Sequence, residues 1–358
     1  DDFGLGDLGF EDETNDDGIG GAGGEGQAEG GDDDNFFVYP SPGKGWETKW
    51  SESSNLAGDL AAAGQFDMAL HSLNRQIGAV NFKPLESRLT NVNNMAHASL
   101  PMMFGSSSMS IPLHRMDSNL TPLGLPRLCY TMPHCVDMLQ QAYRFVSSGN
   151  FPKALETFKS ILATIPVLEL ATTEDEKKLL DLKGICREYI TGLRIEAKRR
   201  ETKEPAKESA LAAYFSRQRM QPMHQVRALL NAVKIAFKLK NYKATAAFCR
   251  RILELYVSGD KAQLSKVVKP AQIRALLKKT EGLNTDAVKV DYREGEALIL
   301  DLKTLTPLDK DAKIYRCPYC FSTYASQGAI CDTCGIAKVG ADVSPYRPKQ
   351  GGGSSGWR

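Results

Sequence analysis

The sequence predicts a mainly α chain, an irregular α-solenoid of TPR-like helical hairpins followed by a small four-cysteine, zinc-ribbon-like β element. Three observations predict it. The segments "GQFDMALHSLNRQI" at 64–77, "GNFPKALETFKSIL" at 149–162 and "KNYKATAAFCRRIL" at 240–253 echo one another. Helical patterning dominates from Leu56 and shortens after Gly282 to strand-like pieces, "AVKV", "ALILDL" and "AKIYR". Two Cys-x-x-Cys pairs lie within "RCPYCFSTYASQGAICDTCG" at 316–335.

In chain order, residues 1–35 come first, with eleven Gly and few large apolar residues. The first 43 residues hold thirteen of the chain's 43 acidic residues and none of its 45 basic ones. Such a segment cannot bury enough surface to offset its ordering entropy, so 1–35 is expected to be disordered. The start at Asp1 within an acidic run reads as a piece of something longer. Behind it the chain is moderately basic, which suits acidic proteins, anionic lipid or nucleic acid without choosing among them. No apolar run approaches the roughly 20 residues that span a bilayer.

"FFVYPSPGKGWETKW" at 36–50 is expected to form an extended strap, its five aromatics lying on a surface. The three echoes follow one rule. An aromatic (Phe66, Phe151, Tyr242) comes after a polar turn, a small residue (Ala69, Ala154, Thr245) three later, and Leu73, Phe158 or Cys249 at seven. This is the apolar stripe of an amphipathic helix. Leu139, Ala142, Tyr143 and Val146 precede the second echo in the same pattern, and Val226, Leu229, Leu230, Val233 and Phe237 the third, with Pro222 in its first turn. Helix, turn, aromatic and helix make an αα-hairpin. The copies lie roughly 85–90 residues apart, not the usual ~34, so hairpins separated by other helices are expected rather than a regular array.

The longest helix is expected after a capping box at Thr173 and Glu176, with Leu182, Ile185, Cys186, Tyr189, Ile190 and Leu193 on one face. Shorter helices are expected from Pro205 and from Pro270 to Gly282. Residues 79–134, with six Pro and no sustained period, are expected to form a long surface loop. The domain plan is thus 1–35 disordered, 36–285 helical and partner-binding, 286–348 a small β and metal element, and 349–358 a flexible tail.

Cys317, Cys320, Cys331 and Cys334 have the spacing of two metal knuckles. Four thiolates suit tetrahedral Zn²⁺ and leave no position for water or substrate, so the site is structural. A redox dithiol or an iron–sulfur centre is the alternative. Cys129, Cys135, Cys186 and Cys249 are scattered; the last two sit among apolar neighbours and resemble reduced core thiols. That division suggests a reducing compartment. The basic run at 197–208 is expected to be a solvated helix end. His71, His97, His114, His134 and His224 do not pair at metal spacing, and no nucleophile–base pair is readable. No enzyme and no small-molecule substrate is therefore expected. The aromatics Phe151, Phe158, Tyr189, Tyr214, Phe215, Phe237, Tyr242 and Phe248 are expected to be mostly core.

The stretches "ICREYITGLRIE" at 185–196, "AAYFSRQRMQPMH" at 212–224 and "IAFKLKNYKATAAFCRRILEL" at 235–255 resemble the C-terminal region of the coatomer alpha subunit. "FFVYP" at 36–40 and "GQFDMALHSLNRQIGAVNF" at 64–82 resemble it too, so the likeness covers about 36–285. The tail matches in its Cys-Pro pair at Cys317 and Pro318; zinc is argued from spacing alone. The resemblance implies a non-enzymatic subunit of a vesicle coat in Golgi-to-ER retrograde and intra-Golgi transport. It also implies binding to the coatomer epsilon subunit and other coatomer subunits, and a cytoplasmic location with peripheral attachment to Golgi membrane. Nucleic acid is not an expected partner; a zinc-ribbon nucleic-acid-binding adaptor is the alternative, and would show binding that weakens steeply with salt.

Overall fold

Each of the three echoes begins at the same turn. The carbonyl ends of a helix need partners, and a residue in left-handed backbone lets the chain supply them. At the first turn Gly64 has φ +73°, its N–H bonds the Ala61 carbonyl, and the next N–H, of Gln65, bonds Leu60. At the second, Gly149 has φ +78° and the bonds run Gly149 to Val146 and Asn150 to Phe145. At the third, Lys240 has φ +59° and the bonds run Lys240 to Phe237 and Asn241 to Ala236. This is one Schellman turn used three times, and Lys240 takes the conformation that glycine takes in the other two.

The computed structural model describes residues 43–100, 109–115, 124–170, 173–283, 285–292, 295, 298–309 and 311–344. Those from Lys44 onward belong to one compact unit. The acidic head at 1–35, the first part of the strap, two inner stretches of the 79–134 connection at 101–108 and 116–123, and the tail at 349–358 lie outside the described residues, as does the side chain of the expected cap Thr173.

The first hairpin is α2 (Ala57–Ala62) and α3 (Phe66–Ile77), with α1 (Trp46–Ser53) before it and α4 (Glu86–Met95) after it. The second is α5 (Met132–Ser147) and α6 (Phe151–Thr164), closed by a 3₁₀ turn at Ile165–Val167. Next come α7 (Thr173–Glu201) and α8 (Pro205–Arg217), then the third hairpin, α9 (Pro222–Lys238) and α10 (Tyr242–Ser258). The helical part ends with α11 (Lys261–Leu264) and α12 (Pro270–Glu281). From α5 to α10 each helix packs on the next, and α12 packs on α10. Pro occupies the first turn of α5, α6, α8, α9 and α12, where its missing N–H is not needed.

The predicted stripes are buried. Ala69, Ala154 and Thr245 are fully enclosed, as are Phe158 and Cys249, and Leu73 nearly so. On α7, Leu182, Cys186, Tyr189, Ile190 and Leu193 face the core, and the Phe158 and Tyr189 rings stack 4.7 Å apart. Phe66, which opens the first echo, stays exposed.

Three expectations differ from the structure. Residues 79–134 are not one irregular loop: Glu86–Met95 is α4, and β1 (His97–Leu100) pairs antiparallel with β2 (Met109–Pro112), His97 opposite Pro112. The weak period of α4 hid it, because only Leu89 and Val92 of that helix are buried. Within the strap, residues 46–50 are the start of α1, and Trp50 is fully buried with its indole N–H donating to the Gly124 carbonyl at 2.7 Å. The "AVKV" piece at 287–290 is not a strand. It is held at the third hairpin turn, where the Asn241 side chain bonds both N–H and C=O of Val288 at 2.9 Å, and Tyr242 N–H bonds Thr285.

The remaining strands are pairs of two-residue segments: β3 (Leu300–Asp301) with β4 (Thr306–Pro307), and β5 (Tyr315–Arg316) with β6 (Thr323–Tyr324). The boundary drawn at 285/286 separates helices from strands along the chain, but not in space. Leu300, Leu302, Tyr319, Tyr324, Ile336 and Val339 share one hydrophobic cluster with α2 to α7. A second cluster belongs to α9, α10 and α12, with Ala212 and Ala213 of α8.

Candidate metal centre and its surroundings

A Cys-x-x-Cys knuckle needs its backbone to turn tightly so that both thiols face one point. In the first knuckle Phe321, the residue after Cys320, has φ +60° and its N–H bonds the Cys317 carbonyl at 3.0 Å. In the second, Gly335 after Cys334 has φ +70° and its N–H bonds the Cys331 carbonyl at 2.8 Å. The two turns have the same form. β5 and β6 flank the first knuckle, and an antiparallel bridge between Ile330 and Lys338 flanks the second.

The knuckles bring Cys317, Cys320, Cys331 and Cys334 together, all buried, with their sulfurs within 4.8 Å of one another. Cys320 and Cys331 sulfurs are 3.4 Å apart, and Cys317 and Cys334 sulfurs 3.9 Å. No pair is bonded as a disulfide. A tetrahedron with metal–sulfur bonds of about 2.3 Å has sulfur–sulfur edges of about 3.8 Å. The donor set and the spacing therefore fit, and this cluster can hold a metal ion. Hydrogen bonds from Cys317, then Cys320 and Cys334, hold the Cys331 thiol below its usual range, against the opposing effect of burial.

Side chains around the sulfurs complete the arrangement. Tyr324 Oη lies 3.1 Å from the Cys331 sulfur and accepts the Asp332 N–H at 2.9 Å. Ser322 Oγ lies 3.1 Å from the Cys320 sulfur. The signal that could have found them is nearness alone: Ser322 and Tyr324 stand two and four residues after Cys320. Lys183 of α7, whose ammonium lies 5.2 Å from the Tyr319 ring centre, carries no such signal.

The cluster is seated on the helices by the first hairpin. Gly78, the left-handed end of α3, accepts the Lys338 N–H at 2.9 Å. Val80 and Asn81 N–H groups both bond Ile336, and the Asn81 side chain donates to Gly335 at 2.7 Å. A bridge pairs Ala79 with Ala337. On the other side Tyr319, fully buried, donates to the Leu162 carbonyl of α6.

No histidine joins a ligand cluster among the described residues; His97 and His114 both pack on the Trp50 ring, at 5.5 and 5.7 Å. His224 is buried between helices, its Nε2 2.9 Å from Ser147 Oγ and its Nδ1 2.8 Å from Tyr189 Oη. Burial, and then the nearby Arg227 charge, lower its pKa to about 4, so it is neutral at pH 7. The basic run at 197–208 pairs with carboxylates in and just before it: Arg199 bonds Glu196 and Glu208, Arg200 bonds Glu196, and Lys207 bonds Glu204. No helix among the described residues is long and apolar enough to cross a membrane.

The family model for the C-terminus of the coatomer (COPI) alpha subunit matches residues 13–349. The chain belongs to this family. It is 32% identical over 319 residues to coatomer subunit alpha of Dictyostelium discoideum, which covers 86% of this chain and 25% of that protein. It is 33% identical over 314 residues to coatomer subunit alpha-1 of Arabidopsis thaliana, with the same shares of 86% and 25%. Coatomer subunit alpha of Saccharomyces cerevisiae is 27% identical over 317 residues, again with 86% and 25% covered. The chain thus spans about a quarter of the length of the curated relatives it matches. The resemblance seen at 36–285 extends through the cysteine knuckles.

Proposed function

We propose that this chain is an assembly region of a non-enzymatic vesicle-coat subunit, and that its helical hairpins bind the coatomer epsilon subunit in Golgi-to-ER retrograde and intra-Golgi transport. The family match across 13–349 carries this reading. Physical support comes from the apolar side chains left in water at one end of the described chain. Trp46, Leu56, Phe66, Met68, Val80 and Met95 are all large, apolar and exposed, and all lie between residues 46 and 95. Buried apolar surface at the centre of a permanent interface is what holds such subunits together. The subunit would act in the cytoplasm, attached to Golgi membrane and coated vesicles through its assembly.

In this reading Cys317, Cys320, Cys331 and Cys334 hold one structural Zn²⁺. The closed set of four thiols supports it, since no position is left for a reacting water. The ion would keep the knuckles in shape against α3 and α6 and take no part in chemistry. Elemental analysis of the purified chain should give about one zinc per chain; iron in its place would refute the assignment.

Co-expression of the chain with the epsilon subunit tests the main reading. A complex that survives gel filtration at high salt is expected, because apolar burial is not screened. Phe66→Asp with Met68→Asp should weaken it by on the order of a hundredfold, as truncation of buried hot-spot residues does. A chain that elutes alone at every salt concentration would sink the proposal, and retention by nucleic acid at low salt only would favour the adaptor reading.

A further inference from the structure

A cleft of about 640 Å³ lies between α7, the α8–α9 link and the β3 and first-knuckle region. Among the described residues its charge is one-sided: Arg187, Arg217, Arg219 and Arg316 line it, with one carboxylate, that of Glu188. Arg187 and Arg217 already have partners. Glu188 is already engaged: one oxygen accepts from Arg187 at 2.9 Å and the other from the Arg219 backbone N–H at 3.1 Å. Among the described residues the side chains of Arg219 and Arg316 make no ion pair, and both residues are exposed.

The cleft also holds an exposed aromatic in an unfavourable place. Phe321 lines it, is 49% exposed, and has φ +60°, the left-handed region that favours glycine. Gly335 fills the matching position of the second knuckle. A large side chain kept in water, on backbone that disfavours it, marks a position used for something other than folding. Leu298 and Ile299, both part-buried, add apolar wall beside it.

Guanidinium forks pair with carboxylates and phosphates alike. The apolar wall decides between them. A phosphate headgroup would leave Phe321 and Ile299 uncovered, whereas a peptide with carboxylates on either side of an apolar residue covers both kinds of surface. We propose that this cleft docks an acidic segment of a partner protein, its Asp or Glu side chains on Arg219 and Arg316 and an adjacent apolar side chain against Phe321. The proposal does not depend on which partner shields the exposed side chains at 46–95.

The test uses the full 358-residue chain and a fluorescent peptide carrying Asp and Glu on both sides of a Leu-Phe pair. Fluorescence anisotropy should show binding that weakens with salt. Arg219→Glu with Arg316→Glu should raise Kd about tenfold or more. Phe321→Gly should weaken binding several-fold while leaving thermal stability equal or higher, a split that a purely structural Phe would not give. The same peptide with Asn and Gln in place of Asp and Glu should not bind. Undiminished affinity in the double arginine variant, or no binding by the parent chain, would overturn the proposal. So would tighter binding of inositol hexakisphosphate or of anionic vesicles than of the acidic peptide.

Discussion

Gly78→Ala tests the seating of the cysteine element on the helices. Gly78 is at φ +68°, and a Cβ there would lie 2.9 Å from Pro318 Cγ and 3.1 Å from the Ala341 side chain. Two costs follow. Left-handed backbone with a Cβ costs about 1–2 kcal/mol. Forcing the knuckle and the segment at Ala341 off their seat adds about 1–3 kcal/mol, the usual range for overpacking. The stiffer unfolded chain returns about 0.4–1 kcal/mol. The net expectation is a loss of roughly 1–5 kcal/mol. Gly149→Ala is the control, because Gly149 has φ +78° but a Cβ there meets nothing within 4 Å. It should lose only about 1 kcal/mol, the backbone part alone. Urea denaturation of both variants, followed by far-UV circular dichroism, gives the difference, which isolates the docking contribution. Equal losses in the two variants would show that Pro318 does not rest on this turn, and the account of how the element is held would be wrong.

Other perturbations have definite outcomes. Lys240→Gly relieves left-handed backbone at the third hairpin turn and should stabilise the chain by about 0.5–1 kcal/mol; a loss in the same urea assay would mean that the Lys240 side chain contributes more than its backbone costs. His224 has its folded pKa lowered from 6.5 to about 4, so its neutral form stabilises the fold above pH 6.5, and that contribution is lost as pH falls from 6.5 to 4. The loss should be on the order of 3 kcal/mol, and His224→Gln should flatten stability across that window; an unchanged pH profile would contradict a buried neutral imidazole. Cys331→Ser with Cys334→Ser should speed hydrogen exchange over 311–344 and at Ala79–Asn81, because those segments share bonds and one cluster. α9 and α10, in the other cluster, should keep their protection. Slowed or unchanged exchange at Val80 would show that the bond to Ile336 does not need the knuckles.

Much of the fold was legible because its signals are local. A Gly or Lys, a polar residue and an aromatic mark each hairpin turn, and the 3.6 period of residues such as Ala154 and Phe158 marks the face that is buried. Two Cys pairs at knuckle spacing mark four thiols that could share a metal, and the fold brings their sulfurs together. α4 escaped because it turns only two apolar side chains inward, too few to set a period. The strap and the "AVKV" piece escaped because their conformation is dictated by distant partners, Gly124 for Trp50 and Asn241 for Val288.

By itself the sequence determined where the hairpins turn, which helix faces are apolar, that four cysteines have the spacing of metal ligands, and which family the chain resembles. Only the tertiary structure decided that the cysteine element is packed into the helical body at Gly78 and Leu162, that His224 is buried between Ser147 and Tyr189, and that four arginines share a cleft with Phe321. The reason is range. Turns and periods depend on residues a few positions apart, whereas packing joins residues separated by up to hundreds of positions, and no single stretch records which surfaces will meet.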